Sequence, residues 1–298
     1  MATLANHVHQ RPSHIQRLRK NLRFEVITRV LIRYSLALLA TFIFVYPLIW
    51  LASASVKPNW EIYRQPLQLI PSEVQWDVYE RLFQTAPFAR YMTNSVIYAL
   101  GGSLISLAFS ILAAYGLSRY RFRGKRLTMV LILTVQLIPG LVSMIPLYLM
   151  MRWLGLFNTQ HGMVLLYGSL RIPWAIWVLK GYFDTIPIEL DESAWIDGAS
   201  KFRTIWQILM PVLVPGLVAA FIIIFIGLWN EFALASVLLR NPDYLPVSVG
   251  TYVLLGPDES DFRLTAAASL VNIIPILLIF SVLQRYLVSG LAAGAVKQ

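Results

Sequence analysis

Residues 204–230, TIWQILMPVLVPGLVAAFIIIFIGLWN, run for 27 positions without a charged side chain. At 1.5 Å per residue, a helix of this length reaches about 40 Å, which exceeds the roughly 30 Å hydrocarbon core of a bilayer. The stretch therefore predicts a membrane-spanning helix, and the rest of the chain can be tested for the same pattern.

Five further apolar runs have the length of a span: residues 34–56, 91–118, 127–151, 162–179 and 264–284, of which only 162–179 is interrupted by a charge, at Arg171. Hydrophobic residues make up 57% of the 298 residues and charged residues only 13%, against about 25% charged in a soluble domain. This composition excludes a soluble or a disordered protein. We predict an all-α polytopic membrane protein with six transmembrane helices.

The basic residues are distributed unevenly between the two predicted faces. Seventeen Lys and Arg fall on the side that holds both termini and seven on the other side. Since cationic loops stay cytoplasmic, both termini should be cytoplasmic, and the net charge of +10 needs no nucleic-acid partner. The predicted organisation is a basic leader over residues 1–33, partly an interfacial helix, a transmembrane domain over 34–285 and a cytoplasmic tail over 286–298.

Small residues and prolines indicate how the spans pack. Small side chains at every fourth position of the second span allow close approach of another helix. Prolines interrupt the hydrogen-bond ladders of three spans, which suits helices that line a cavity or flex, although purely structural bundles also contain kinks. The residues concerned are Gly102, Ser106, Ser110 and Ala114 for packing, and Pro139, Pro146, Pro211, Pro215 and Pro275 for the interruptions.

Signatures of catalysis are missing from the sequence. Gly124-Lys125 is followed by Arg126 and lacks the earlier glycine of a phosphate loop, there is no cysteine, and the leader histidines His7, His9 and His14 lack ligand-like spacing. We therefore predict no catalytic, cofactor-binding or metal-binding residue and no enzymatic activity. An intramembrane enzyme is the alternative from a different functional class.

The segment over residues 187–211 differs from its surroundings. Acidic residues near 189–192 favour the positive end of a short helix that should run to about Ile196, Gly198 permits a left-handed turn, and a second helix should begin near Ser200. Apolar residues between the charges would make this helix–turn–helix a docking surface. By physics alone, it could equally be an amphipathic connector that rests on lipid.

This segment resembles the EAA loop of ABC importer permeases. Glu192-Ser193-Ala194, Asp197-Gly198-Ala199, Phe202, Ile208 and Met210-Pro211 keep the spacing of that motif, with departures at Ser193 and Met210. Residues 115–125, 154–159, 229–232 and 290–297 resemble carbohydrate importer permeases, most of all the maltose-type G subunit.

The resemblance implies a half-transporter with the type I permease fold in a bacterial cytoplasmic (inner) membrane. Its expected partners are a second homologous permease, two cytoplasmic ATPase subunits that bind ATP and Mg, an extracellular or periplasmic solute-binding protein, membrane lipid and an oligosaccharide. The resemblance also implies a tail that reaches between the ATPases. The residues expected to couple to an ATPase are Glu192, Ser193, Ala194, Asp197, Gly198, Ala199 and Phe202.

Two features bear on the substrate path. Trp229, Asn230 and Glu231 end the fifth span, where they could contact sugar or gate the cavity, or where Trp229 could be an interfacial anchor. Arg171 lies within the fourth span, where an unpaired charge costs about 2.5–3.5 kcal/mol. An acidic oligosaccharide such as a uronate would supply an anion for Arg171. The alternatives are a structural ion pair and hydrogen bonds to the carbonyls freed near Pro173. A neutral maltose-type sugar and glycerol phosphate are the alternative solutes.

Overall fold

The computed structural model describes residues 14–66, 68–254 and 261–295, with side chains between residues 27 and 286 of those ranges. Helices dominate this part of the chain, and it contains no strand. In chain order the helices are α1 (His14–Val56), α2 (Asn59–Ile62), α3 (Asp77–Thr85), α4 (Phe88–Arg119), α5 (Lys125–Gln136), α6 (Gly140–Trp153), α7 (Gln160–Thr185), α8 (Glu189–Ile196), α9 (Lys201–Arg203), α10 (Met210–Trp229), α11 (Ala233–Leu238), α12 (Val247–Val253) and α13 (Phe262–Ala295). A π-helical turn, Thr204–Leu209, joins α9 to α10, and a 3₁₀ turn, Pro242–Tyr244, precedes α12.

The internal contacts divide the chain into two units, Met1–Ser53 and Ala54–Gln298. In the first unit, α1 passes residue 33 without a break, so the predicted boundary between leader and first span falls inside one helix. Every side chain over residues 27–49 is exposed, and so apolar a helix needs lipid or another chain to cover it. His7 and His9 lie outside the described residues, and an interfacial position for the leader stays a prediction.

The membrane-spanning helices match the predicted number. Five helices are long and apolar enough to cross a bilayer: Ile27–Val56, Phe88–Arg119, Gln160–Thr185, Lys201–Trp229 and Phe262–Tyr286. A sixth span is reached when α5 and α6 are counted together, although they meet at a bend of 97°. The predicted fold class is confirmed, with its third span broken in two.

The break in the third span follows from Pro139. This residue is the N-cap of α6, and its carbonyl accepts the amides of Val142 at 3.0 Å and Ser143 at 3.3 Å. Pro146, at which the ladder was also predicted to be interrupted, lies inside α6. The predicted interruptions therefore end a helix at Pro139 but not at Pro146, because a proline removes one backbone donor and can be accommodated when the rest of the turn stays intact.

A π-helical turn accommodates the prolines at the start of the fifth span. The Met210 amide donates to the Ile205 carbonyl, five residues back, which widens the turn immediately before Pro211. Because a proline ring clashes with the carbonyl four residues earlier, a wider turn relieves that contact. Helix α10 then continues through Pro215 to Trp229.

Helices α4 and α7 pack closely through small residues, as predicted. A Cβ added at Gly102 would lie 3.1 Å from the Cβ of Tyr167, and one added at Gly168 would lie 3.3 Å from the Gly102 carbonyl oxygen. Ser106, Ser110 and Ala114 are fully buried. The α4–α7 pair therefore forms the rigid centre of the second unit.

Candidate functional site

A cavity of about 370 Å³ lies between α7, the α5–α6 break and the junction of α10 with α11. Apolar side chains make up most of its wall. Its polar lining residues are Gln136, Ser143, Tyr167, Arg171, Trp174 and Glu231. Two residues predicted for the substrate path, Arg171 and Glu231, are thus brought to one cavity by helices far apart in the sequence.

Arg171 is half-buried in the wall of this cavity. A Cβ at Gly227 of α10 would lie 3.0 Å from a terminal nitrogen of Arg171, so the glycine leaves room for the guanidinium. None of the ion pairs found in the described part of the chain involves Arg171. Its positive charge is therefore available to a molecule in the cavity.

Glu231 is held by three donors. Its carboxylate accepts the Tyr167 hydroxyl at 2.6 Å and the amides of Leu234 at 2.8 Å and Ala235 at 3.1 Å. The two amides belong to the first turn of α11. A carboxylate at this N-terminus stabilises the helix, because the helix dipole is positive there. Through these bonds Glu231 connects α7 to α11 across the cavity.

Trp229 and Asn230 do not line the cavity. Trp229 is 1% exposed, stacks on Phe225 with ring centroids 5.6 Å apart and donates its Nε1 hydrogen to Asn272 Oδ1 at 2.8 Å. Asn230 is exposed, and its side-chain amide Nδ2 donates to the Ile226 carbonyl at 2.9 Å. The structure thus places Trp229 in the core instead of at a substrate or membrane surface, because its indole packs on the residue one turn earlier.

Sequence reasoning missed the other four polar residues of this cavity, and Tyr167 and Gln136 show why. Tyr167 lies four positions before Arg171, which places both on one face of α7, and this spacing could have revealed it. Gln136 ends α5 beside the Pro139 break, and no signal in the sequence connects it to Arg171.

At another surface, α8, residues 197–200 and α9 form a helix–turn–helix, which we call the elbow. The amide of Gly198 donates to the Trp195 carbonyl at 3.0 Å and that of Ala199 to the Ala194 carbonyl at 2.9 Å. This pair of bonds is the Schellman arrangement, which requires a left-handed residue at the turn. Gly198 supplies it with φ +82°, and the Ser200 hydroxyl then caps α9 by accepting the Arg203 amide at 3.3 Å.

The elbow exposes apolar side chains beside a carboxylate. Ile196 is 86% exposed and Phe202 67% exposed, and Glu192, Ser193 and Asp197 are also exposed. Large apolar side chains clustered at a surface mark an interaction site. Ala194 is the exception among the predicted coupling residues, since it is 5% exposed and faces the bundle.

The chain matches a known protein family over most of its length. Residues 106–292, which include the elbow, match the family described as "Binding-protein-dependent transport system inner membrane component". The chain belongs to this family. It is thus a permease component of a transport system and not an enzyme, and the predicted binding-protein partner follows from the family's definition.

Relatives and solved structures agree with this membership. The permease is 35% identical over 276 residues to the galactooligosaccharides transport system permease GanQ of Bacillus subtilis (strain 168), covering 90% of this chain and 96% of that protein. It is 32% identical over 277 residues to the trehalose/maltose transport system permease MalG of Thermococcus litoralis, covering 93% and 99%. A crystal structure of a bacterial ABC transporter involved in the import of the acidic polysaccharide alginate matches with TM-score 0.74 and 25% identity, over 90% of this chain and 98% of that one.

Proposed function

We propose that this permease is one half of the translocation path of an ATP-driven oligosaccharide importer, and that its substrate carries carboxylates. The observation that carries the proposal is the Arg171 guanidinium, which lines the cavity and has no carboxylate partner among the described residues. The relatives named for galactooligosaccharide and trehalose/maltose transport support the sugar class. The similarity to the alginate importer supports an acidic sugar.

The energetics of Arg171 favour an anionic substrate. A charge at the centre of a span costs about 2.5–3.5 kcal/mol on insertion scales, and a planar guanidinium binds a carboxylate through two parallel hydrogen bonds. A uronate in the cavity would offset the cost when it binds. The substrate would then gain an interaction that a neutral sugar cannot make.

Glu231 suits the role of a gate beside Arg171. A free carboxylate in the cavity would repel an acidic sugar, but the Tyr167 hydroxyl and two α11 amides hold this one. Movement of α7 against α11 would break these bonds and open the cavity. Trp229, through Asn272, would hold the end of α10 in place while Asn230 stays at its surface.

A neutral oligosaccharide is the second candidate. The relatives named for galactooligosaccharides and trehalose/maltose favour it, and Arg171 would then bind freed backbone carbonyls near Pro173. Glycerol phosphate would also satisfy the charge of Arg171, so it belongs among the test solutes.

The elbow would receive the energy of ATP hydrolysis on the cytoplasmic side, where both termini are also predicted to lie. Its exposed Ile196 and Phe202 would insert into an ATPase, and Glu192 would form charge-assisted hydrogen bonds with it. Closure of the ATPase pair would move the elbow and switch the cavity between outward and inward access. ATP and Mg would be bound by the ATPase subunits.

Uptake by the reconstituted complex tests the proposal. With its second permease, ATPases and binding protein in liposomes, the complex should import a uronate oligosaccharide, and Arg171→Ala should lower that uptake at least tenfold. Arg171→Lys keeps the charge and should lose less, while Arg152→Ala at the exposed end of α6 is the matched control and should lose nothing.

Uptake of a neutral oligosaccharide and of glycerol phosphate is measured in the same liposomes. Equal losses for the acidic and neutral sugars in Arg171→Ala would remove the electrostatic argument. Import of glycerol phosphate alone would replace the oligosaccharide with a smaller anion.

A further inference from the structure

Helix α8 has two distinct faces. The outer face carries the exposed Glu192, Ser193 and Ile196, whereas the inner face carries only Asp191 and Ala194, which are 0% and 5% exposed. These two residues are three positions apart and lie on the same side of the helix. Asp191 is thus the single charged side chain by which α8 faces the bundle.

Asp191 pairs with Arg119, the last residue of α4. Arg119 Nε donates to Asp191 Oδ2 at 2.9 Å, and NH1 of the same guanidinium donates to the Phe183 carbonyl at 3.1 Å in the last turn of α7. The two side chains are 6% and 0% exposed. One guanidinium therefore joins the ends of α4 and α7 to α8.

We propose that Arg119 and Asp191 are positioning residues that make the elbow move with α4 and α7. This inference rests on the proposed docking of the elbow on an ATPase. Helices α4 and α7 pack through Gly102 and Gly168, and α7 carries Tyr167 and Arg171 to the cavity. A displacement of α8 thus reaches the cavity wall through rigid helices and one buried ion pair.

Arg119 and Asp191 could form more hydrogen bonds than they do. Asp191 Oδ1 and Arg119 NH2 are buried without a hydrogen-bond partner in the described ranges. A guanidinium and a carboxylate can form two parallel bonds, and here they form one. A small shift of α8 would let Oδ1 accept a second bond, either from this guanidinium or from the buried Tyr115 hydroxyl, which also lies close to Asp191.

A partly exposed ion pair in the same region provides a comparison that does not involve α8. Lys180 and Asp184 pair on α7, with side chains 19% and 44% exposed, and Asp184 also accepts the Ser118 hydroxyl of α4 at 2.6 Å. Exposed pairs of this kind contribute little, whereas removal of one partner from a buried pair leaves an uncompensated charge. Asp184→Asn is therefore the control for Asp191→Asn.

The first measurement is the number of substrate molecules imported per ATP hydrolysed by the assembled complex. Asp191→Asn should lower this ratio at least tenfold while ATP hydrolysis continues, and Asp184→Asn should leave it within twofold. Arg119→Lys keeps the ion pair but loses the planar fork that also reaches Phe183, so its ratio should fall between the two. A merely structural role would instead lower assembly, hydrolysis and import together.

The second measurement needs no sugar. Because the chain has no cysteine, spin labels can be attached at Leu112→Cys on α4 and Glu189→Cys on α8, in a complex with cysteine-free partners. The distribution of distances between the two labels should be narrow in the otherwise unaltered chain, both with and without ATP. In Asp191→Asn the width of this distribution should at least double.

Unchanged widths and unchanged import per ATP in Asp191→Asn would overturn the inference. If the unaltered complex imports no oligosaccharide, the proposed substrate fails while the spin-label distances still test the ion pair. If the elbow binds no ATPase, the proposed docking fails, and the inference fails with it.

Discussion

The elbow and the cavity are built by contacts of very different range. The turn of the elbow is closed by hydrogen bonds that join residues three to five positions apart. The cavity is closed by bonds such as Tyr167 to Glu231, which are 64 positions apart, and the adjacent Trp229 bonds to Asn272, which is 43 positions away. Local rules therefore fix the elbow, whereas helix packing decides which side chains meet at the cavity.

The largest expected effect is at Gly198. Gly198 and Gly181 both have open space where a Cβ would be added, but only Gly198 has a positive φ. Left-handed backbone costs an L-residue roughly 1–2 kcal/mol, and a β-branched side chain such as valine fits it worse still, so valine should change the conformation of the turn. Gly198→Val should therefore lower import at least tenfold, and Gly181→Val should not lower it.

The measurement for these two variants is import together with the amount of ATPase that co-purifies. Equal import by Gly198→Val and Gly181→Val would show that the conformation of the elbow turn does not matter. The contrast between a locally fixed elbow and a packed cavity would then lose its functional meaning.

This contrast explains what could be predicted from the sequence. The left-handed Gly198, the end of α8 at Ile196 and the start of a helix after Ser200 were all predicted, because capping rules act within one turn. The membrane class and the number of spans followed from the long charge-free runs. The buried position of Trp229 could not be predicted, because a residue at the end of an apolar helix can face lipid, cavity or core.

Asp191 shows the same limit at the elbow itself. Its place in the first turn of α8 was predicted, but its burial against Arg119 depends on how the end of α4 meets α8. The bend of 97° between α5 and α6 shows the same limit. Pro139 predicts an interrupted hydrogen-bond ladder in the third span, but it does not predict the angle between the two helices.

A smaller effect is expected from the tyrosine pair at the centre of the bundle. Tyr167 and Tyr98 are both buried and pack edge to face, but Tyr167 donates to Glu231 and Tyr98 to the Tyr244 carbonyl. Loss of a hydrogen bond to a charged group costs about 1.5–3 kcal/mol. Tyr167→Phe should therefore lower import roughly tenfold, whereas Tyr98→Phe should lower stability with the apparent affinity for sugar unchanged. Uptake measured over a range of sugar concentrations separates the two, and equal kinetics would remove Glu231 from the gate.

Trp229→Phe should affect stability only. The phenyl ring can keep the stacking on Phe225, while the bond to Asn272 is lost, at a cost of about 0.5–1.5 kcal/mol. We expect a lower unfolding midpoint and an unchanged KM for the sugar in the assembled complex. A raised KM with an unchanged midpoint would instead indicate that Trp229 reaches the substrate in another conformation.

The smallest effect is expected at Glu61, in the loop that follows the first span. Burial alone would raise the pKa of Glu61, but the Ser72 amide and hydroxyl bind the carboxylate, and Lys57 and Arg64 add positive charge, so the pKa is lowered. A lowered folded-state pKa stabilises the fold above the ordinary value of about 4.5 and loses that contribution as the pH falls below it. Between pH 7 and pH 4 the unaltered chain should therefore lose more stability than Glu61→Gln, measured by its unfolding midpoint. A Glu61→Gln variant with the same pH dependence as the unaltered chain would show that this bond between residues 11 positions apart does not stabilise the loop.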